Sequence, residues 1–128
     1  MSASETPSLY DRVGGIDTFV RLVDTFYAAV ETDLVLRRLY PESLEAPRRH
    51  LALFLAQYFG GPPKYSQQRG HPRLRMRHLP FVIGRRERDA WLTHMLAAVD
   101  AVGIDEPARS EMRTYFEDAA TFMINEER

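Results

Sequence analysis

The sequence predicts an all-α protein, and three observations lead there. Apolar residues recur at steps of three and four through four long stretches. No stretch alternates apolar and polar residues as a half-buried strand would. Glycines and prolines fall between the four stretches or in their first turns, where they start and stop helices.

Residues 1–8 are small and polar and are expected to form a flexible N-terminal extension. Leu9 to Val13 suits one helical turn, ended by Gly14-Gly15. The first long helix runs from Ile16 to Val30. Ile16, Phe19, Val20, Val23, Phe26, Tyr27 and Val30 mark its apolar face, and Asp17, Arg21, Asp24 and Glu31 the opposite one. Leu34 to Leu39 forms a short helix broken at Tyr40-Pro41, because a residue before proline is pushed out of the α region. Ser43 is a suitable cap for the next helix, with Glu45 and Pro47 in its first turn. Leu51, Phe54, Leu55 and Tyr58 give that helix its face, and Gly60 ends it.

Gly60 to Phe81 divides the chain into two helical halves. It opens on Gly60-Gly61-Pro62-Pro63, which breaks helix, and Arg73 to Leu79 resembles one or two helical turns stopped by Pro80. A long helix follows from Arg86 to Val102, with Trp91, Met95, Val99 and Val102 on its stripe and Gly103 closing it. Asp105 is placed to cap the last helix, whose buried stripe reads Met112, Tyr115, Phe116, Ala119, Phe122 and Met123. The inward faces are rich in aromatic rings. Such rings suit a plain core, and they also suit the walls of a flat cavity.

Composition narrows the functions. The 128 residues fit one domain, with 45% hydrophobic and 27% charged residues as in a folded globular chain. The net charge of −1 gives no general attraction to nucleic acid or anionic membrane. With no cysteine, disulfides, zinc–thiolate sites, iron–sulfur clusters and thiol nucleophiles all fall away. No apolar run approaches the roughly 20 residues of a spanning helix, and no signal peptide is legible, so a cytoplasmic setting is expected.

Four histidines are the candidate chemistry. His50 lies at the border of an apolar helix face, His71 precedes Pro72 in a loop, and His94 flanks the Trp91–Met95 stripe; each suits an ordinary structural place. His78 stands at the end of a short helix just before Pro80-Phe81, where it fits either a cap of the helix dipole or a ligand presented into an apolar space. No nucleophile elbow, paired-histidine metal motif or glycine-rich phosphate loop is present. Arg69, Arg73, Arg75, Arg77, Arg85, Arg86 and Arg88 crowd one stretch. They read equally as a phosphate-binding patch for nucleic acid, a solvated face, or a clamp for the carboxylates of a small anion.

Taken together, five groups of residues resemble a known family. Phe26-Tyr27, Leu39-Tyr40-Pro41, Gly60-Gly61-Pro62, Gly70 to His78 with Pro80-Phe81, and Glu87 to Trp91 are similar, in order and spacing, to the group II truncated haemoglobins. The resemblance runs from about Leu9 to the end of the chain and looks closest to the actinobacterial oxygen-binding members. It implies a two-over-two helical sandwich around haem b, with the helices Ile16–Val30 and Leu44–Phe59 facing Arg86–Val102 and Asp105–Ile124. By the same resemblance His78 is the proximal iron ligand. Tyr27, Tyr40 and Trp91 are distal hydrogen-bond donors, and Leu51 is the apolar residue over the ligand. Phe26, Pro47, Phe54 and Phe81 become further haem contacts, with Tyr65 and Arg77 placed to hold a propionate. Pro47 stands where many globins carry a distal histidine and offers no side-chain donor.

The implied ligands are dioxygen, carbon monoxide and nitric oxide. Two phenols and an indole would stabilise the partial negative charge of a polarised dioxygen ligand. Oxygen storage or delivery, nitric oxide dioxygenation and peroxidase-like oxidation stay open, as do an electron-donating reductase and a homo-oligomer. The alternative from another class is a haem-free, arginine-rich module for nucleic acid or an adaptor role.

Overall fold

The computed structural model describes residues 7–126, and among them the fold is helical throughout. The element order is α1 (Leu9–Arg12), α2 (Ile16–Val30), a 3₁₀ turn (Arg37–Leu39), α3 (Glu45–Tyr58), α4 (Lys64–Arg69), α5 (Leu74–His78), α6 (Arg85–Ala101) and α7 (Ala108–Phe122). Helix α2 packs on α3, α6 packs on α7, and α2 also meets α6. Two antiparallel-type pairs stacked in this way are the two-over-two sandwich that the sequence implies.

The apolar periodicity becomes burial with a few corrections. Phe19, Leu22, Val23, Phe26 and Val30 of α2 are buried, but Ile16 and Val20 lie exposed at the edge of that face. Met95, Val99, Met112 and Phe116 fill the α6–α7 seam. Tyr58 and Phe122, expected inside, are exposed at 54% and 61%. Tyr58 still stacks on Tyr115 at 4.2 Å between ring centroids, and Phe122 lies under the Arg75 guanidinium at 5.7 Å. Rings at the end of a helix can thus bury one face only.

Several caps differ from expectation. Residues 1–6 of the expected extension lie outside the described residues, while Ser8 caps α1, its hydroxyl accepting from the Asp11 N–H at 3.2 Å. The short helix over 34–39 tightens to the 3₁₀ turn, held by Asp33, whose carboxylate accepts from the Val35 and Leu36 N–H groups. Leu44, not Ser43, occupies the cap position of α3, although the Ser43 hydroxyl does accept from the Glu45 N–H. At α7 the expected capping by Asp105 passes to Glu106, whose carboxylate accepts from the Ser110 N–H at 2.9 Å. Helix α4 lacks any apolar period. It is held from outside by Gln57, whose amide donates to the Ser66 hydroxyl and accepts from the Ser66 N–H.

Helix α1 is pinned to the end of α3. The Tyr10 N–H donates to the Phe59 carbonyl at 2.9 Å, and the Tyr10 ring stacks on Phe19. This approach requires Gly61, since a Cβ there would sit 2.7 Å from the Tyr10 ring and 2.8 Å from the Ala56 carbonyl oxygen. Backbone on one side leaves no soft neighbour to yield. Gly61→Ala should therefore destabilise the fold by about 1–3 kcal/mol, read as a lowered midpoint in thermal or urea unfolding; an unchanged midpoint would contradict the packing.

Candidate functional site: an apolar cavity between the helix pairs

A cavity of about 380 Å³ opens between the two pairs, with side chains from every helix but α1 on its walls. That size is in the range that takes a cofactor or drug-sized ligand. Its lining is mostly apolar. Leu36, Leu39, Leu51, Phe54, Leu55, Leu74, Phe81, Ile83, Phe116 and Met123 surround a few polar groups. The sequence-predicted residues Tyr27, Tyr40, Pro47, Leu51, Phe54, Tyr65, Arg77, His78, Phe81 and Trp91 are all among them.

Phe26 is not among them. Its ring is fully buried behind the wall, edge-on to Tyr27 at 5.0 Å and to Trp91 at 5.3 Å.

His78 ends the five-residue helix α5, which begins after Arg73 in the left-handed region at φ 44°. Its Nδ1 lies 2.6 Å from the Leu74 carbonyl oxygen. A carbonyl only accepts, so Nδ1 carries the proton and Nε2 keeps its lone pair. An imidazole oriented through its other nitrogen by a backbone carbonyl is the arrangement that metal-binding histidines use. Among the described residues no group of three His, Cys, Asp or Glu is placed to hold a metal ion. A metal at Nε2 would therefore need a partner that brings its own donor atoms, as a tetrapyrrole does.

Another wall carries the phenols. The Tyr40 backbone is extended (φ −115°, ψ 155°), as its place before Pro41 predicts. Arg37 wraps this corner, its guanidinium donating to the carbonyls of Tyr40, Pro41 and Glu42. The Tyr27 and Tyr40 rings meet edge to face at 5.4 Å. Burial pushes the Tyr40 hydroxyl up to about 12, opposed only in part by the polar groups of Tyr27 and Trp91 near it. Burial raises the Tyr27 hydroxyl further still, helped by Tyr40 beside it. Both phenols thus keep their protons at any pH near neutral and act as donors.

The cavity mouth is cationic. Arg77 donates to the carbonyls of Pro72 (2.7 Å) and Arg69 (3.0 Å), which fixes the loop it spans. Arg69 lies over the Tyr65 ring and reaches His50, with Nη1 3.2 Å from Nε2. Guanidinium cannot accept, so His50 Nε2 is the acceptor and the ring is neutral. Burial first, and then the charges of Arg69, Arg49 and Arg77, hold His50 below the ordinary histidine range. An apolar slot walled by the imidazoles of His50 and His78, of which His78 is oriented by a backbone carbonyl, with arginines beside it, fits a flat macrocycle bearing carboxylates, and the residues present fit haem.

Sequence reasoning missed part of this site. His50, expected at the border of an apolar helix face, lines the cavity, and Arg69, outside the lining, contacts it through His50. Their signal was their spacing: His50 directly precedes Leu51, and the pair is joined only through tertiary contact. The other two histidines keep ordinary places. His71 Nδ1 accepts from the Arg73 N–H, and His94 Nε2 lies 2.6 Å from Asp33.

Residues 8–125 match the bacterial-like globin family. The chain belongs to that family. Group 2 truncated haemoglobin YjbI of Bacillus subtilis is 40% identical over 91% of this chain and 88% of its own length. Among solved structures, the haemoglobin of the thermophilic phototroph Chloroflexus aurantiacus is 60% identical with a TM-score of 0.93, over 94% of this chain and 99% of that one. The thermostable haemoglobin of the actinobacterium Thermobifida fusca is 49% identical with a TM-score of 0.91, over 93% and 98%. Truncated haemoglobins bind haem, usually haem b, and use it to bind small ligands. The arginine-rich nucleic-acid or adaptor module is not supported. Several of its arginines are engaged within the fold: Arg69 with His50, Arg75 with the Ile124 carbonyl, Arg77 with two carbonyls, and Arg88 with Asp89 and Thr121. No helix of the described residues is long and apolar enough to cross a membrane.

The Asp33–His94 pair ties the start of the Tyr40 corner to α6, one turn beyond Trp91. The hydrogen bond from His94 leads the causes that hold the Asp33 carboxyl below its ordinary value, followed by the Leu36 N–H. A carboxyl depressed in the fold stabilises above its unfolded pKa of about 3.9, and that stability is lost as pH falls through the folded value. Asp33→Asn should thus cost about 1–2 kcal/mol at pH 7. The gap to wild type should close on acidification below about pH 4. Urea unfolding at pH 7 and pH 3 checks this, and an equal gap at both would contradict it.

Proposed function

We propose that this globin binds haem b through His78 Nε2 and holds dioxygen, and likewise carbon monoxide and nitric oxide, beneath Tyr40, Tyr27 and Trp91. The observation that carries the reading is one apolar cavity holding both an imidazole locked with its Nε2 lone pair free and a set of protonated phenols. Ferrous haem, when bound, supplies a coordination position for a diatomic gas. The protein supplies the rest. Leu51, Phe54 and Phe81 would pack on the apolar faces of the group, with Pro47 contributing shape but no donor. Arg77, His50 and Tyr65, with Arg69 beside His50, would hold its carboxylates, which guanidinium geometry favours.

The three donors share one wall. Tyr27 meets the Tyr40 ring edge to face at 5.4 Å and Trp91 lines the same cavity, so the Tyr40 hydroxyl, carried on the extended corner before Pro41, is placed to give its proton to the ligand. The low dielectric of the apolar lining strengthens what it donates. A polarised dioxygen ligand gains more from such a donor than the less polar carbon monoxide does. Slow oxygen release suits chemistry or sensing better than bulk transport.

Tyr40→Phe should speed oxygen release from the ferrous protein by about 10–100-fold, the equivalent of one hydrogen bond to a charged acceptor, and change carbon monoxide release much less. The Tyr27→Phe, Trp91→Phe double variant should also release oxygen faster, because two of the three donors on the wall are then lost. Stopped-flow and flash-photolysis kinetics measure both. Oxygen release from Tyr40→Phe at the parent rate would overturn its role as donor.

A further inference from the structure

The proximal turn is fastened by a residue outside every helix. Asn125 follows α7, and its side-chain amide reaches back to the segment after His78. Its Nδ2 donates to the His78 carbonyl at 3.2 Å and to the Phe81 carbonyl at 2.8 Å. Its Oδ1 accepts from the Ile83 N–H at 2.9 Å, and its own N–H donates to the Ile83 carbonyl at 2.8 Å. A primary amide is the uncharged side chain able to donate twice and accept at once, and here every one of those capacities is met by backbone of residues 78–83. Next to it the Arg75 guanidinium donates to the Ile124 carbonyl at 3.2 Å, which ties α5 itself to the same tail.

These bonds gain weight from where they fall. Leu79 and Pro80 lie exposed, and the turn carries no helix beyond His78 to hold it. Apart from Asn125, the turn is closed by the Phe81 N–H to the His78 carbonyl at 3.0 Å, an acceptor Asn125 shares, and the Glu126 N–H joins Asn125 on the Ile83 carbonyl at 3.1 Å. The end of α7 meanwhile walls the cavity with Ala119, Ala120 and Met123. The tail that lines the cavity is also the tail that fixes the turn bearing its imidazole.

We propose that Asn125 is a positioning residue for His78: it clamps the 78–83 turn to the end of α7 and so holds the imidazole against the cavity. The proposal rests on the reading of His78 as the haem ligand. Asn125→Asp keeps an acceptor for the Ile83 N–H but loses both donors and sets a negative charge against two carbonyls. Asn125→Ser removes the amide with little steric change and serves if the aspartate variant fails to fold.

The full-length chain, loaded with haem, is mixed with excess apomyoglobin and haem transfer is followed by absorbance. Resonance Raman of the ferrous protein reads the iron–histidine stretching band, and amide hydrogen exchange of the haem-free chain reads the turn. The expected result is transfer about tenfold faster in the variants, the cost typical of losing support behind a metal ligand. A shifted or broadened iron–histidine band and faster exchange at the Phe81 N–H should accompany it. Unchanged transfer, band and exchange in a folded variant would overturn the clamp. Wild type that takes up no haem would overturn the functional reading, and the proposal with it.

Discussion

The 2.6 Å hydrogen bond from His78 Nδ1 to the Leu74 carbonyl decides which nitrogen of the ring can bind anything, and the rest of the site depends on that choice. With Nδ1 donating to the carbonyl, Nε2 is the nitrogen that the neutral ring has left to offer a ligand. A five-residue helix cannot hold such a ring by its own cooperativity. The support comes from outside: from Arg73 in the left-handed region at the start of α5, from Arg77 on the Pro72 and Arg69 carbonyls, and from the tail that follows α7. The short helix is stable because other parts of the chain make it so.

The opposite requirement governs the phenols. They must stay protonated and must point one way. Burial achieves the first, raising both hydroxyls, and a crowded ring cluster achieves the second. Phe26 belongs to this second task. Wedged behind Tyr27 and Trp91, it fixes their rings without touching the cavity. The corner that delivers Tyr40 is held by Arg37 and by Asp33, so a carboxylate and a guanidinium several residues away set the direction of one hydroxyl.

Much of this was legible from the chain alone, and the reasons are physical. The long helices announce themselves because burial of one face forces a period on the sequence. Tyr40 was placed at a corner because proline restricts the residue before it. His78, Tyr27, Tyr40 and Trp91, which the structure brings to one cavity, were singled out through resemblance to a family, since a histidine at a helix end is chemically ambiguous by itself. What escaped notice depends on tertiary contact. Helix α4 has no apolar stripe and exists because Gln57 grips Ser66. His50 and Arg69 are nineteen residues apart and meet only when α3 and α4 pack.

The central claim is that the cavity takes haem and that His78 binds its iron. Titrating the purified chain with haem, for wild type and for His78→Gly with and without added imidazole, tests it most directly. The account predicts a Soret band in wild type that shifts when the reduced protein is exposed to carbon monoxide. In His78→Gly that band should be weakened or altered, and imidazole, filling the space of the lost ring, should restore it. A wild-type chain with no Soret band, or a His78→Gly spectrum identical to wild type, would contradict the account.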